Sequence, residues 1–127
     1  MKSYTNIVQS KKLAEIIPPE SADMCWGICD KTLKWKTFPY LMPWCAYTAK
    51  EHYLPCWSLA AMLDQLDDVI YDDDGYAYQL QIIKEGVQYY LIYDGADDFA
   101  SYETPLYDDL IDCCYEMILL LKEKNLL

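Results

Sequence analysis

Arginine is missing from this chain and histidine occurs once, as His52. All ten basic residues are lysines, set against 21 aspartates and glutamates, for a formal charge of -11. Without arginine there is no planar fork to grip a phosphate or carboxylate through two hydrogen bonds. Direct binding to a nucleic-acid backbone needs clustered positive charge, and this balance excludes it. Glycine is scarce too. Four glycines in 127 residues cannot supply the fixed close spacing of a phosphate-cradling loop or a dinucleotide fingerprint, so no cofactor is expected. No apolar run approaches the roughly 20 residues that span a bilayer, so no membrane partner is expected. The first segment mixes Gln9, Lys11, Lys12 and Glu15 where a signal peptide would be apolar, which points to a cytoplasmic protein.

Six cysteines are present, but their placement matches no paired metal-ligand spacing. Cys25 and Cys29 are four apart, Cys113 and Cys114 adjacent, Cys45 and Cys56 isolated. In a reducing compartment they read as small buried hydrophobes, all six as free thiols, with no metal site. The acidic run before Gly75 fails as a calcium loop, because Ile70 and Gln81 stand where acidic ligands are required. Ser58 precedes an apolar helix and reads as its cap, and His52 has no fixed partner in sequence, so no catalytic residue is assigned. Enzyme is the minority reading, and a small hydrolase ranks third among the functions considered.

Composition otherwise describes a globular chain of one domain, 1–127. It is 54% hydrophobic and 24% charged, too apolar for disorder and long enough for its own core. The strongest helical signal runs from Thr104 to Leu127. Thr104 can cap it, Pro105 suits the first position, and Leu106, Leu110, Cys113, Met117 and Leu121 form one stripe that Ile111, Cys114, Ile118 and Leu119 widen. Another helix begins at Thr5 or Asn6 and stops at Pro18-Pro19. Ala22 to Asp30 alternates as a strand. Lys31 to Trp44 dissolves into aromatics and prolines as a long loop or irregular edge. Thr48 and Glu51 have capping-box spacing, predicting a helical turn from Ala49 to before Pro55, and a short helix follows Ser58 with Trp57 beneath its first turn.

From Asp67 the period becomes two, with strands predicted at Val69–Tyr71, Tyr76–Ile83 and Gln88–Asp94 and a turn at Asp72–Gly75. An even loop around Lys84–Val87 pairs Ile82 with Tyr89, Leu80 with Leu91 and Tyr78 with Tyr93 on one core face beneath the final helix. The expected class is α+β: a small antiparallel sheet of three to four strands packed against N- and C-terminal helices, plus a short central helix.

Thirteen tyrosines and four tryptophans exceed what packing alone requires, and exposed Tyr and Trp are what interaction surfaces use. The expected binding residues are Trp35, Tyr40 and Trp44 from the aromatic stretch, with Asp72, Asp73, Asp74, Asp97 and Asp98 from the acidic connections. The expected function is a non-catalytic interaction or accessory protein with a protein partner, the chain itself monomer or homodimer. The alternative is an acidic mimic of nucleic acid that inhibits a host defence or nucleic-acid-binding protein.

A set of local sequences also carries a resemblance. Gln9-Ser10-Lys11-Lys12-Leu13, Ala22-Asp23-Met24, Leu54 through Leu63, and Ile111 through Leu119 with Lys122-Glu123 resemble a group of small uncharacterised proteins of gut-anaerobe genomes, mobile elements and phages. The shared residues are packing residues. The resemblance implies a phage or mobile-element setting and a partner of host or defence origin, and it assigns no catalytic residue.

Overall fold

A computed structural model describes residues 2–27, 39–41, 53–95 and 101–127. The fold is α+β, with helices near both ends and a short central one. The chain falls into two compact units, Ser3–Ala61 and Met62–Leu127 with Met1–Lys2.

The first unit starts with α1 (Ile7–Ala14). Asn6 caps it as the sequence suggests: its side chain accepts from the Gln9 N–H at 2.8 Å while the Gln9 side chain accepts from the Asn6 N–H at 3.1 Å, a complete capping box. Pro18 and Pro19 follow, and Pro19–Ser21 makes one 3-10 turn. Strand β1 (Met24–Gly27) is central in an antiparallel sheet, with β2 (Tyr40–Leu41) on one side and β3 (Tyr53–Cys56) on the other. Tyr40 and Leu41 form an edge strand within the stretch expected as a long loop or irregular edge. One local expectation changes here: Tyr53 and Leu54 are strand where the spacing predicts a helical turn; Thr48 and Glu51 lie outside the described residues. Pro55 fits β3 because that strand is at the sheet edge, where a missing N–H facing outward removes no ladder bond. Then comes α2 (Leu59–Asp64), with the Ser58 hydroxyl accepting from the Ala61 N–H at 3.2 Å as its cap.

One buried threonine joins these pieces. Thr5 is fully buried. Its N–H donates to the Trp57 carbonyl at 2.9 Å, its hydroxyl accepts from the Trp57 N–H at 3.1 Å and pairs with the Ser10 hydroxyl at 2.8 Å, and its carbonyl accepts from the Trp26 indole at 3.1 Å. Trp57 is fully buried, its indole N–H donating to the Ser21 hydroxyl at 2.9 Å.

The second unit is a four-stranded antiparallel sheet in chain order, β4 (Val69–Tyr71), β5 (Ala77–Glu85), β6 (Gln88–Gly95) and β7 (Tyr102–Glu103), with helix α3 (Leu110–Glu123). The β5–β6 register differs from the expected one by two residues. Ile82 faces Leu91, Leu80 faces Tyr93 and Tyr78 faces Gly95. Gly86 is the reason: at φ 66 it takes the left-handed region, so a two-residue turn of Gly86 and Val87 suffices, and β5 runs on through Lys84 and Glu85 to pair with Tyr89 and Gln88. A shift of two keeps the same side chains on the same face. Leu91 and Tyr93 are fully buried there and Tyr78 nearly so. Ile82 is not: it is 47% exposed, because α3 packs along β6 while β4 pairs no farther along β5 than Gln79. That corner has no cover among the described residues.

Helix α3 starts five residues later than its capping signals suggest. The backbone from Tyr102 to Tyr107 is spent on the sheet instead: the Thr104 N–H donates to the Leu91 carbonyl at 2.9 Å, the Thr104 hydroxyl accepts from the Leu91 N–H at 3.1 Å, and Tyr89 and Tyr107 exchange two bonds. Sheet pairing overrides a local cap. Leu106 is consequently exposed and Leu110, expected in the core, is half-buried. The buried stripe is Ile111, Cys113, Cys114, Met117, Ile118 and Leu121. At the start of the helix Lys2 donates its backbone N–H to Asp109 and its ammonium to Asp112, both at 2.7 Å.

Leu121→Ala, which empties a fully packed position, is expected to cost about 2 to 5 kcal/mol. Leu110→Ala, at a half-buried one, should cost only about 1 kcal/mol. Urea unfolding followed by far-UV dichroism measures both, and equal midpoints for the two variants would place α3 off the core. Thr5→Val keeps the shape but strands the Trp57 N–H, for a loss of about 1 to 3 kcal/mol in the same experiment.

Candidate protein-binding face

The antiparallel register divides the four-stranded sheet into two faces. One carries Ile70, Tyr78, Leu80, Leu91, Tyr93 and Tyr102, with α3 against β6; the Tyr78 and Tyr102 rings meet there at 5.1 Å. The Cys113 thiol donates to the Tyr89 carbonyl at 3.2 Å, and the Tyr93 hydroxyl to the Asp67 carbonyl at 2.6 Å, closing that side.

The opposite face takes the alternate residues. Val69 lies beside Gln79 and Asp94, Tyr71 beside Ala77, Gln81 beside Ile92 and Glu103, Ile83 beside Tyr90, and Glu85 beside Gln88. Val69 is 38% and Tyr71 64% exposed. Ile83, Tyr90 and Ile92 are half-buried, and Gln79, Gln81, Glu85, Asp94 and Glu103 are exposed. This face therefore holds two apolar groups, Val69 with Tyr71 and Ile83 with Tyr90 and Ile92, separated by exposed Gln79 and Gln81 and flanked by carboxylates, with no helix over it among the described residues. Lys84, the one lysine of these strands, is on the other side, its ammonium 5.9 Å from the Tyr89 ring.

The eight residues expected to bind a partner are placed unevenly. Trp35, Trp44, Asp97 and Asp98 lie outside the described residues, as does His52, and Tyr40 is in the backbone of β2. Asp72, Asp73 and Asp74 are brought together in the β4–β5 turn, but they differ in what they can do. The Asp72 carboxylate is committed to the turn itself, accepting from the Asp74 N–H at 3.0 Å, the Tyr76 N–H at 2.9 Å and the Tyr78 hydroxyl at 2.9 Å, while Gly75 at φ 85 completes the turn. Asp73 and Asp74 are exposed. Val69, Tyr71, Ile83, Tyr90 and Ile92 were missed. Their signal is in the sequence: β6 reads Gln-Tyr-Tyr-Leu-Ile-Tyr, apolar on both parities, where a sheet with one wet polar face would alternate.

No family model, curated protein or solved structure matches this chain.

Elsewhere, Ser58 and three of the cysteines are held by local packing. Ser58 donates to the Asp23 carboxylate, which also accepts from the Ser58 N–H at 2.9 Å, so its hydroxyl is held as a helix cap rather than as a nucleophile. Cys56, Cys113 and Cys114 are buried free thiols. Burial pushes them up to about 11, about 11 and about 12, which keeps them protonated and unreactive. Cys25 departs from the expectation that all six are thiols, since it is disulfide-bonded; its partner lies outside the described residues.

The Asp72–Tyr78 pair has a pH signature. The hydrogen bond to Asp72, followed by burial, raises the Tyr78 hydroxyl to about 12. Burial opposes ionisation of Asp72, yet the bonds from Tyr76, Tyr78, Asp74 and Gly75 outweigh it and lower its carboxyl. Tyr78 therefore contributes stability below its unfolded value near 10 that is lost as pH rises through about 12. Asp72 contributes above the ordinary carboxylate range, and its share is lost as pH falls through the lowered value. Urea midpoints across pH should show Tyr78→Phe flattening both limbs relative to wild type; parallel profiles would mean that the bond is not formed in solution. In the native protein at neutral pH, Cys56, Cys113 and Cys114 should resist a disulfide thiol reagent. Unfolded without reductant, the chain should show at most four of its six thiols; recovery of all six would show Cys25 to be reduced.

Proposed function

We propose that this chain is a non-catalytic interaction protein that binds a protein partner through the open face of its four-stranded sheet. The observation that carries this reading is a sheet face with two apolar groups, exposed Val69 and Tyr71 on β4 and half-buried Ile83, Tyr90 and Ile92 on β5 and β6, set among exposed Gln79, Gln81, Glu85, Asp94 and Glu103. Tyrosine on a rigid sheet offers large contact area at small entropic cost, which suits it to anchor a partner. The resemblance to phage and mobile-element proteins fits a partner from a host cell or its defences. The -11 charge favours a single copy of the chain over self-association, since like charges would meet.

A second reading, the acidic mimic of nucleic acid, draws on the exposed Asp67, Asp68, Asp73 and Asp74 gathered around β4. The apolar pair between them favours the interaction reading, because a phosphate mimic has no use for exposed Val69 and Tyr71. On setting, no helix among the described residues is long and apolar enough to cross a membrane. The expected cytoplasmic location rests on the first segment of the sequence, and the Cys25 disulfide weighs against it.

A photo-crosslinking side chain at exposed Gln81, on the open face, should trap one discrete species from source-cell extract. The same group at Lys122, beyond the sheet, should not. Tyr71→Ser with Ile92→Ser should abolish the Gln81 product while leaving the urea midpoint within about 1 kcal/mol of wild type. Identical products from Gln81 and Lys122, or none from Gln81, would overturn the assignment of this face.

A further inference from the structure

We propose that the open edge of β4 docks an extended basic segment of another protein, which joins the sheet as a fifth strand. The inference rests on the interaction reading above and specifies the partner's chemistry.

The backbone comes first. β4 has β5 on one side and, among the described residues, nothing on the other. The Asp68 carbonyl accepts from the Leu80 N–H at 2.8 Å and the Asp72 N–H donates to the Tyr76 carbonyl at 3.1 Å. With Ile70 opposite Tyr78, the bonded pairs are therefore those of the even-numbered residues. In an antiparallel ladder the intervening residues turn their backbone groups the other way. The N–H and C=O of Val69 and Tyr71 accordingly point out of the sheet, toward the place of a further strand. Their side chains are exposed on the open face, and Ile70 between them is buried. An added strand would find two outward-facing residues to pair with and two apolar side chains to cover.

Charge then selects the strand. The sequence across this edge is Asp67-Asp68-Val69-Ile70-Tyr71-Asp72-Asp73-Asp74, three strand residues bracketed by five aspartates. Between residues 53 and 83 the chain has no basic residue. Aspartate opposite aspartate is destabilising across a pair of strands, so a second copy of this chain or any acidic segment is repelled, whereas a segment with Lys or Arg on either side of two or three β-forming residues is attracted at both ends. Short charged edges guard against indiscriminate pairing. Here the charge has one sign only, so the guard leaves basic strands admitted. A three-residue edge supplies few backbone bonds, and charge complementarity must carry much of the affinity, which makes binding strongly salt-dependent.

Fluorescence anisotropy on the full chain, with labelled peptides as probes, tests this. The peptides are Lys-Lys-Val-Thr-Val-Lys-Lys, its Glu counterpart in place of every Lys, and Lys-Lys-Pro-Thr-Pro-Lys-Lys, which keeps the charge but cannot pair as a strand. The first should bind at low salt, weaken as salt rises, and shift the Val69 and Tyr71 amides in NMR spectra while slowing their hydrogen exchange. The Glu peptide should not bind, and the Pro peptide should bind several-fold more weakly. Asp68→Asn with Asp73→Asn should weaken the first peptide by about fivefold and flatten its salt dependence. Val69→Pro removes an outward N–H, not a ladder bond, and should block binding with the sheet intact. Absence of binding by the Lys peptide, equal binding by the Pro peptide, or amide shifts away from β4 would overturn the proposal. If it falls while the Gln81 crosslink persists, the face binds a partner of other chemistry; if both fail, the interaction reading falls with it.

Discussion

The tight turn at Gly86 is the constraint on which the second unit depends. A glycine in the left-handed region lets two residues reverse the chain, and that choice sets the pairing of every residue from Tyr78 to Gly95. A register shifted by one would put Gln79 and Gln81 on the same face as Leu91 and Tyr93, so that either the glutamines were buried or the apolar pair exposed. Because the parity is held, the residues that α3 can cover lie on one side, and Val69, Tyr71, Ile83, Tyr90 and Ile92 on the other. The candidate binding face follows from the turn as directly as the core does.

The first unit is held in a different way. Its sheet is small and its strands short, so side chains and backbone groups of distant segments must be tied individually. Thr5 does most of this, joining the residue before α1 to Trp57, Ser10 and Trp26. Every partner is buried or nearly so, and in that setting each unmade bond would cost more than a made one contributes. The Cys25 disulfide adds a covalent restraint to the same unit, a device characteristic of small units with limited apolar area.

Acidity has two roles that only geometry separates. Asp72 is turned into its own loop, where Tyr78 and two backbone N–H groups hold it ionised. Asp67, Asp68, Asp73 and Asp74 are left to solvent at the two ends of β4. The first builds the hairpin and the others govern what can approach its edge. The β4 edge and the uncovered face beside it are thus framed by charge of a single sign.

Local pattern was enough to identify the α+β class, the capping of α1 by Thr5 or Asn6 and of α2 by Ser58, the whole of β4, the cores of β5 and β6, and the apolar stripe of α3 from Ile111 to Leu121. These depend on periodicity and on neighbours within four residues, which a sequence displays. The aspartates of the β4–β5 turn were visible too, though not that one of them is spent internally. Tertiary structure decided where local signals competed with distant partners. Thr104 and Pro105 could begin a helix, but Leu91 and Tyr89 offer ladder bonds to the same backbone, and the helix waits until Leu110. Ile82 has the pattern of a core residue and is exposed because α3 lies over β6. The uncovered face escaped the sequence for the same reason: the pattern shows that β6 is apolar on both sides, and only the position of the helix determines which side is covered and which is left exposed.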